Sequence, residues 1–311
     1  MTLIFKYGKV FMVKYMEFRE KLEKYVENFN NNLEKYRLNK ECLEGRLFES
    51  MEYSLFSCGK RIRPILMMSA CEMLGYDFNI CIPYAVSLEM IHNFSLIHDD
   101  LPGIDNDDFR HFKPTNHKVY GEATAILAGD NLLNMAYKIV TDSILSDSNN
   151  DNVIRKVDAL NYLSNAVNKM IVGEYLDTIN EGKKINVDEL NYIHNNKTGA
   201  LIEAALVCAG ILCNANKDDI NNLKNYAKDI GLAFQIKDDI LSELGDRKIT
   251  GKPVGNDKDR KKCTYVAMYG VKKSLEILDD LITDSKNSLK VYGSNAKFLK
   301  DMADYIKDRE K

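Results

Sequence analysis

The chain has 311 residues, of which 46 are acidic and 43 basic, giving a formal net charge of -3. This balance excludes a global field that would attract nucleic acid or an anionic membrane surface, so we expect neither as a partner. The 17 Gly and 5 Pro residues are few for a globular chain, and few stretches alternate like half-buried strands. No Pro-rich or Gly-rich linker divides the sequence. These features predict one large all-α domain.

The seven cysteines lack Cys-x-x-Cys spacing and lie mostly in apolar helical runs. This usage is typical of reduced core thiols, so we expect a cytoplasmic protein without a disulfide framework. No stretch approaches the roughly 18 apolar residues of a membrane span, and Lys6 and Lys9 interrupt the apolar start. Residues 1 to 15 are interpreted as an N-terminal extension, either disordered or an upstream start, and residues 16 to 311 as the domain.

Helical periodicity follows the chain from residue 16 onwards. It predicts helices at 16–37, 40–57, 64–75, 83–100, 117–145, 153–180, 187–213, 218–244, 264–280, 283–291 and 295–309. An exposed loop is predicted at 102–116, because Pro102 disfavours helix at Leu101 and Gly103 permits a reversed turn. Residues 246–262 are rich in Lys, Arg and Gly and predict a basic loop.

Two acidic clusters each end an apolar helical run: Asp99, Asp100 and Asp105 form the first, and Asp238 and Asp239 form the second. Carboxylates there face the negative end of the helix dipole, and adjacent carboxylates repel each other. A bound cation would offset both unfavourable interactions. Mg²⁺ prefers hard oxygen ligands and commonly binds protein carboxylates and substrate phosphates together. Basic residues that would bond the same phosphates are Lys60, Arg63, Arg110, Lys113, Lys197 and Lys252. The pattern predicts a Mg²⁺–diphosphate site.

Each of these residues also has a plainer interpretation. A single acid pair is usually a solvated helix cap, and a histidine such as His92 on an apolar face is usually a hydrogen-bonded core residue. Two acid pairs in matching contexts favour the metal site instead. His92, Ser95 and Asp99 share one helix face, with His92 about 10 Å from Asp99. Four of the five histidines fall between 92 and 117, but none has closed-site ligand spacing, so we predict no zinc.

Seven ordered motifs resemble those of the trans-prenyl diphosphate synthases, from about Met16 to the end of the chain. They are Gly59-Lys60-Arg61-Ile62-Arg63-Pro64, Glu89-Met90-Ile91-His92, Ser95-Leu96-Ile97-His98-Asp99-Asp100-Leu101-Pro102, Asp105-Asn106-Asp107-Asp108-Phe109-Arg110, Lys113-Pro114-Thr115-Asn116-His117, Lys197-Thr198-Gly199 and Phe234-Gln235-Ile236-Lys237-Asp238-Asp239. The resemblance implies an all-α homodimer, each subunit a helical bundle around a deep central cavity. It also implies the reaction: an allylic C–O bond ionises, the double bond of isopentenyl diphosphate attacks the cation, and a proton is lost to diphosphate.

The same resemblance implies a role for each matched residue. About three Mg²⁺ would be bound directly by Asp99, Asp105 and Asp238, with Asp100, Asp239 and Asp177 in support. The allylic diphosphate would be held by Arg110, Lys197 and Lys252, and isopentenyl diphosphate by Lys60, Arg63 and His92. Thr198, Gln235 and the Lys197 carbonyl would steady the carbocation.

Product length in this family depends on the residues just before the first acid pair, which are Phe94 and Ser95 here. The aromatic Phe94 and the inserted Pro102-Gly103 resemble the corresponding residues of bacterial-type farnesyl diphosphate synthases. This resemblance implies that the Phe94 ring closes the bottom of the cavity and limits the product to about fifteen carbons. Three alternatives remain: a geranylgeranyl diphosphate synthase, a noncatalytic regulatory subunit, and a terpene cyclase on the same fold. The intact acidic and basic residues argue against the regulatory subunit, and Lys60, Arg63 and His92 argue against the cyclase, which needs no second diphosphate pocket.

Four residues depart from the family pattern: Cys58 replaces Gly, His111 replaces a second Arg, Glu174 replaces Gln, and Ser242 replaces Asp. Since a neutral imidazole is a poorer phosphate partner than guanidinium, His111 should bind substrate weakly until it is protonated. We therefore predict that the KM for isopentenyl diphosphate falls as the pH is lowered from 8 to 6. Steady-state kinetics across this range test the prediction, and a KM that is independent of pH contradicts it.

Overall fold

The computed structural model describes residues 2–57, 59–110, 112–244 and 263–309, with side chains from residue 16 onwards. The α-helices are α1 (Thr2–Leu33), α2 (Gly45–Leu55), α3 (Ile62–Met73), α4 (Ile82–Asp99), α5 (Asn116–Tyr120), α6 (Glu122–Leu145), α7 (Asn150–Ile179), α8 (Val187–His194), α9 (Ala200–Leu212), α10 (Lys217–Leu244), α11 (Tyr265–Ser288) and α12 (Lys297–Asp308). The prediction of an all-α fold is confirmed.

Short irregular elements complete the described chain. The 3₁₀ turns are Glu34–Tyr36, Phe78–Cys81 and Lys290–Tyr292, and a π-turn, Asn195–Gly199, joins α8 to α9 without a break. Strands β1 (Phe109–Arg110) and β2 (Lys113–Pro114) pair antiparallel within the predicted loop 102–116. This loop is therefore more ordered than the sequence indicates.

Helix α4 is the centre of the bundle. It packs against α2, α3, α6 and α9, and its interior side chains, such as Leu88 and Ile91, are fully buried. The stretch Phe78–Asp99 is long and apolar enough to cross a membrane, but 72% of its most apolar window is buried inside the protein. Because its neighbours are other protein helices, this apolarity is that of a core helix.

Several predicted boundaries differ from the structure. Gly121, with φ 87°, separates α5 from α6, where one helix was predicted; glycine adopts this φ without a steric penalty. The prediction of separate helices at 264–280 and 283–291 was wrong about the position of the break: α11 kinks at Gly270, with φ 76° and ψ 163°, and is helical from there to Ser288. Helix α1 extends back to Thr2, ahead of the predicted start at residue 16. The division of the chain at residue 15 stays a prediction.

The two ends of the described chain pack together through aromatic rings. The ring centroid of Phe298 on α12 lies 5.3 Å from that of Phe18 and 4.7 Å from that of Tyr25, both on α1. On the other side of α12, the buried hydroxyl of Tyr226 on α10 donates to the Leu299 carbonyl at 2.6 Å. These contacts fix α12 beside α10 and so determine where the next residue, Arg309, lies.

Candidate active site

The first acidic cluster folds into a compact unit at the end of α4. Asp99 is the last helical residue, and its carbonyl accepts a hydrogen bond at 2.8 Å from the backbone N–H of Asp105. Asn106 has a left-handed backbone with φ 51°, which asparagine tolerates better than most residues. The turn therefore brings Asp105 back beside Asp99, as the predicted site requires.

Arg110 on β1 is bound to the second carboxylate of this cluster. Its Nε donates to both oxygens of Asp100 at 3.0 and 2.9 Å, and its Nη2 donates to Oδ1 at 2.7 Å. Asp100 is buried, and a fork of this kind fixes both side chains in orientation. Asp100 thus supports Arg110 and orients it towards Asp99, the neighbouring carboxylate.

Lys197 lies in the π-turn, which two glycines hold in place. A Cβ on Gly173 of α7 would lie 2.2 Å from the Lys197 nitrogen, and a Cβ on Gly231 of α10 would lie 3.1 Å from the Gly199 Cα. The π-turn therefore packs closely between two helices: a side chain at Gly173 would clash with its backbone, and one at Gly231 would require a small shift. Wide turns of this kind occur frequently at functional sites.

The Lys197 ammonium is surrounded by carboxylates. Its Nζ lies 2.7 Å from Glu174 Oε2 and 2.7 Å from Asp177 Oδ2, both on α7. These carboxylates, with Asp99, raise the pKa of Lys197 above its usual value although burial opposes the charge. The amine therefore stays protonated.

The pKa of Asp99 is also raised, which in a carboxyl group disfavours the charged form. Burial and the nearby Glu174 carboxylate raise its pKa to about 7, while Lys197 and Arg110 hold it down and Asp105 raises it further. Burial is the main cause of this shift, and a cation that binds the ionised carboxylate would lower the pKa again. The pocket is thus suited to a further cation.

The donor set fits a divalent cation on one further ground. Glu174 Oε1 is buried and has no hydrogen-bond partner within the described residues. Among those residues, no three His, Cys, Asp or Glu side chains are close enough to form a metal centre by themselves. Mg²⁺ commonly binds with only one or two protein carboxylates, completing its shell with water and substrate oxygens.

The second acidic cluster is connected to the π-turn through α10. Thr198, which follows Lys197, donates from Oγ1 to Gln235 Oε1 at 2.9 Å. The Gln235 amide then donates to Asp239 Oδ1 at 3.2 Å, and the backbone N–H of Tyr265 donates to Asp239 Oδ2 at 2.9 Å. Asp239 is buried and therefore organises α10 from inside, which agrees with a supporting role.

Asp238 faces two arginines. Arg309, just after α12, donates from Nη2 to Asp238 Oδ1 at 2.6 Å and to the Phe234 carbonyl at 2.9 Å, with its guanidinium 4.0 Å from the Phe234 ring centroid. Burial lowers the pKa of Arg63, and the Glu89 and Asp238 carboxylates offset part of this shift. A cation of the predicted isopentenyl diphosphate pocket thus lies near the second acidic cluster.

The remaining predicted residues are placed as follows. Lys60 is exposed in the loop before α3, and His92 is half-buried on α4. Ser95 is half-buried, and its hydroxyl donates to the His92 carbonyl at 2.9 Å. Phe94 is 8% exposed. The predicted substrate residues His111 and Lys252, and the departure Cys58, lie outside the described residues.

The ring of Phe94 is held between α4 and α6. Its centroid lies 4.8 Å from the His98 ring in an edge-on arrangement, and His98 Nε2 is 3.0 Å from the Ile126 carbonyl of α6. Gly129 of α6 leaves room for this histidine, since a Cβ there would lie 2.3 Å from His98 Nε2. Phe94 is thus fixed in one place by its neighbours.

Sequence reasoning missed two residues of the site, Arg309 and His194. His194 is buried within 3.8 Å of Asp239 Oδ2, and burial lowers its pKa to about 4, so its imidazole is neutral. Its position three residues before Lys197 is a usable signal, because one helical turn separates them. Arg309 gave no signal, since its contact with Asp238 spans 71 residues of chain.

A helical bundle that gathers two acidic motifs and their cations around one turn is the arrangement of a prenyltransferase that acts on isoprenyl diphosphates. Residues 44–295 match the family described as polyprenyl synthetase. The chain belongs to this family and is a prenyltransferase.

Several relatives cover nearly the whole chain. It is 43% identical over 287 residues to the farnesyl diphosphate synthase of Micrococcus luteus, covering 91% of this chain and 97% of the relative. It is 40% identical over 279 residues to the geranylgeranyl diphosphate synthase of Cyanophora paradoxa, covering 88% and 91%. Among solved structures, the geranylgeranyl pyrophosphate synthetase of Pyrococcus horikoshii superposes with a TM-score of 0.84 at 28% identity, covering 96% of this chain and all of the other.

The position of the π-turn yields a prediction about Gly173. Gly173→Ala places a methyl group 2.2 Å from a backbone nitrogen, so the turn has to shift. We expect kcat/KM for prenyl transfer to fall by about 100-fold, although alanine favours a helix over glycine by about 1 kcal/mol. Gly210→Ala on α9 is the matched control, because it is also a helical glycine and the added methyl meets only the side-chain ends of Ile220 and Leu223, at 2.7 and 3.0 Å. Unchanged kinetics of Gly173→Ala would show that the close packing does not position Lys197.

Proposed function

We propose that the protein is a Mg²⁺-dependent farnesyl diphosphate synthase that condenses isopentenyl diphosphate with dimethylallyl and then geranyl diphosphate. The observation that carries the proposal is the π-turn. The charge of Lys197 lowers the pKa of Asp99 in the first acidic cluster. The adjacent Thr198 donates a hydrogen bond to Gln235, which lies one helical turn before Asp238 on α10. One short segment therefore joins both acidic motifs.

The protein's contribution is electrostatic. Asp99, Asp105 and Asp238 would hold the metal, which when bound neutralises charge on the departing diphosphate. Lys197 and Arg110 are already fixed by carboxylates from other parts of the chain, so they need little rearrangement when the allylic C–O bond breaks. Such preorganised charge is usually the largest contribution to catalysis.

The two substrates would lie on different sides of this centre. The allylic diphosphate would contact Arg110 and Lys197 beside Asp99, and isopentenyl diphosphate would contact Lys60, Arg63 and His92. Thr198 and Gln235 present oxygen dipoles beside Lys197, where they would steady the allylic cation. The allylic cation then forms a new C–C bond with the double bond of isopentenyl diphosphate, and the proton that is lost passes to the released diphosphate.

The homodimer implied by the sequence belongs to this proposal. It is supported by large apolar side chains on α6 that have no cover within the described residues, since Ile126 is 42% and Leu127 is 57% exposed. A molar mass in solution near twice 35.5 kDa is expected, and a monomeric mass in the active enzyme contradicts it.

The function is tested by incubating the protein with labelled isopentenyl diphosphate, each allylic starter, and either Mg²⁺ or EDTA. We expect a fifteen-carbon product from both dimethylallyl and geranyl diphosphate with Mg²⁺, and no product with EDTA. A mainly twenty-carbon product would favour the geranylgeranyl synthase instead. Absence of elongation with every starter would favour a regulatory subunit.

The fifteen-carbon product depends on Phe94. Phe94→Ala should open the cavity floor and shift the products towards twenty carbons or more, as measured by chromatography of the dephosphorylated prenols. Ile282→Ala on α11 is a matched control, because Ile282 is also buried but lies on another helix, and its loss also costs about 2–5 kcal/mol of stability. Ile282→Ala should keep the fifteen-carbon product. An unchanged product from Phe94→Ala removes the basis for the farnesyl assignment.

A further inference from the structure

Arg61, in the loop between α2 and α3, has an unusual conformation. Its backbone is left-handed, with φ 52° and ψ 30°, and its side chain is only 6% exposed. A non-glycine residue rarely adopts this backbone, and a buried guanidinium is costly unless it is paired. Strain of this kind persists only where the surroundings over-determine it.

The surroundings of Arg61 supply that constraint. Its Nη1 donates to Glu89 Oε1 on α4 at 2.6 Å, and its Nη2 donates to the Leu55 carbonyl at 2.8 Å and the Ser57 carbonyl at 3.2 Å. Leu55 ends α2, and the Glu89 side chain is 4% exposed. One side chain therefore fastens the end of α2, the loop and α4 to each other.

This fastening lies among the residues proposed to hold isopentenyl diphosphate. Lys60 precedes Arg61, Arg63 follows it in the first turn of α3, and His92 lies one turn after Glu89 on α4. The Glu89 carboxylate also acts on Arg63, favouring its charged form against burial. The same buried carboxylate thus faces two guanidinium groups from one loop.

We propose that Glu89 and Arg61 are positioning residues for isopentenyl diphosphate, a role that rests on the proposed function. Their ion pair sets the separation between the loop that carries Lys60 and Arg63 and the helix that carries His92. Without it, the three diphosphate partners lie on segments that can move apart. Neither Glu89 nor Arg61 is required to touch the substrate.

A merely structural ion pair makes a different prediction. Its loss lowers stability and affects both substrates alike, whereas a positioning pair affects the substrate whose partners it holds. A matched structural pair is Lys156–Asp147, 2.9 Å apart with side chains 14% and 17% exposed. It lies at the start of α7, about 27 Å along the helix from Glu174, so its loss should spare both substrates.

The test measures KM for each substrate, with the other saturating, and melting temperature in Glu89→Gln, Arg61→Lys and the control Asp147→Asn. For Glu89→Gln and Arg61→Lys we expect the KM for isopentenyl diphosphate to rise by about tenfold or more, and the KM for the allylic diphosphate to stay within about twofold. Asp147→Asn should change neither KM. Calorimetric titration with isopentenyl diphosphate should show the same weakening without turnover.

Glu89→Asp keeps the charge and provides a milder variant if Glu89→Gln does not fold; its KM for isopentenyl diphosphate should rise by a smaller factor. Equal increases in both KM values, or no increase in either, would overturn the positioning role while leaving the proposed function intact. A wild-type enzyme that elongates no allylic diphosphate would overturn both.

Discussion

The site depends on one partly buried charge, the Lys197 ammonium, whose side chain is 24% exposed, and on the carboxylates that keep it charged. Taking an ammonium out of water is costly, and this cost is offset only by close, well-oriented partners. Glu174 and Asp177, both on α7, supply them at 2.7 Å. The contact is possible because Gly173, on the same helix, lets the π-turn approach within backbone distance. The charged state of Lys197 therefore depends on the close packing of the π-turn against α7.

The same arrangement recurs around the site. Arg110, Arg309 and Arg61 each reach a carboxylate on another element, at Asp100, Asp238 and Glu89 respectively. Such pairs add little net stability, but each fixes the orientation of a group that would otherwise rotate freely. Burial, with Glu174 and Asp105, keeps the pKa of Asp99 raised to about 7, although Lys197 and Arg110 lower it. The protein therefore offers prepared charges to a ligand that brings phosphate and metal together.

Sequence reasoning identified the helical fold and the acidic motifs because both are local properties. It divided α11 at the wrong residue, since Leu281 and Ile282 lie within a helical stretch that packs along α10, whereas the backbone departs from the helix at Gly270. It assigned Arg110 to the diphosphate but could not foresee the fork with Asp100, which needs the β1–β2 turn to bring them together. Roles inferred for Lys252 and His111 stay predictions.

The sequence by itself determined that the chain forms amphipathic helices and that two of them end in carboxylates, because periodicity and composition act over a few residues. It also determined the family, through motifs that are contiguous in the chain. Only the tertiary structure decided which cation meets which carboxylate. Arg309 and Asp238 are separated by 71 residues. Their contact exists because α12 is anchored on α1 by aromatic packing and on α10 by the hydrogen bond from Tyr226. Long-range pairing of this kind follows from how helices pack, which no local pattern specifies.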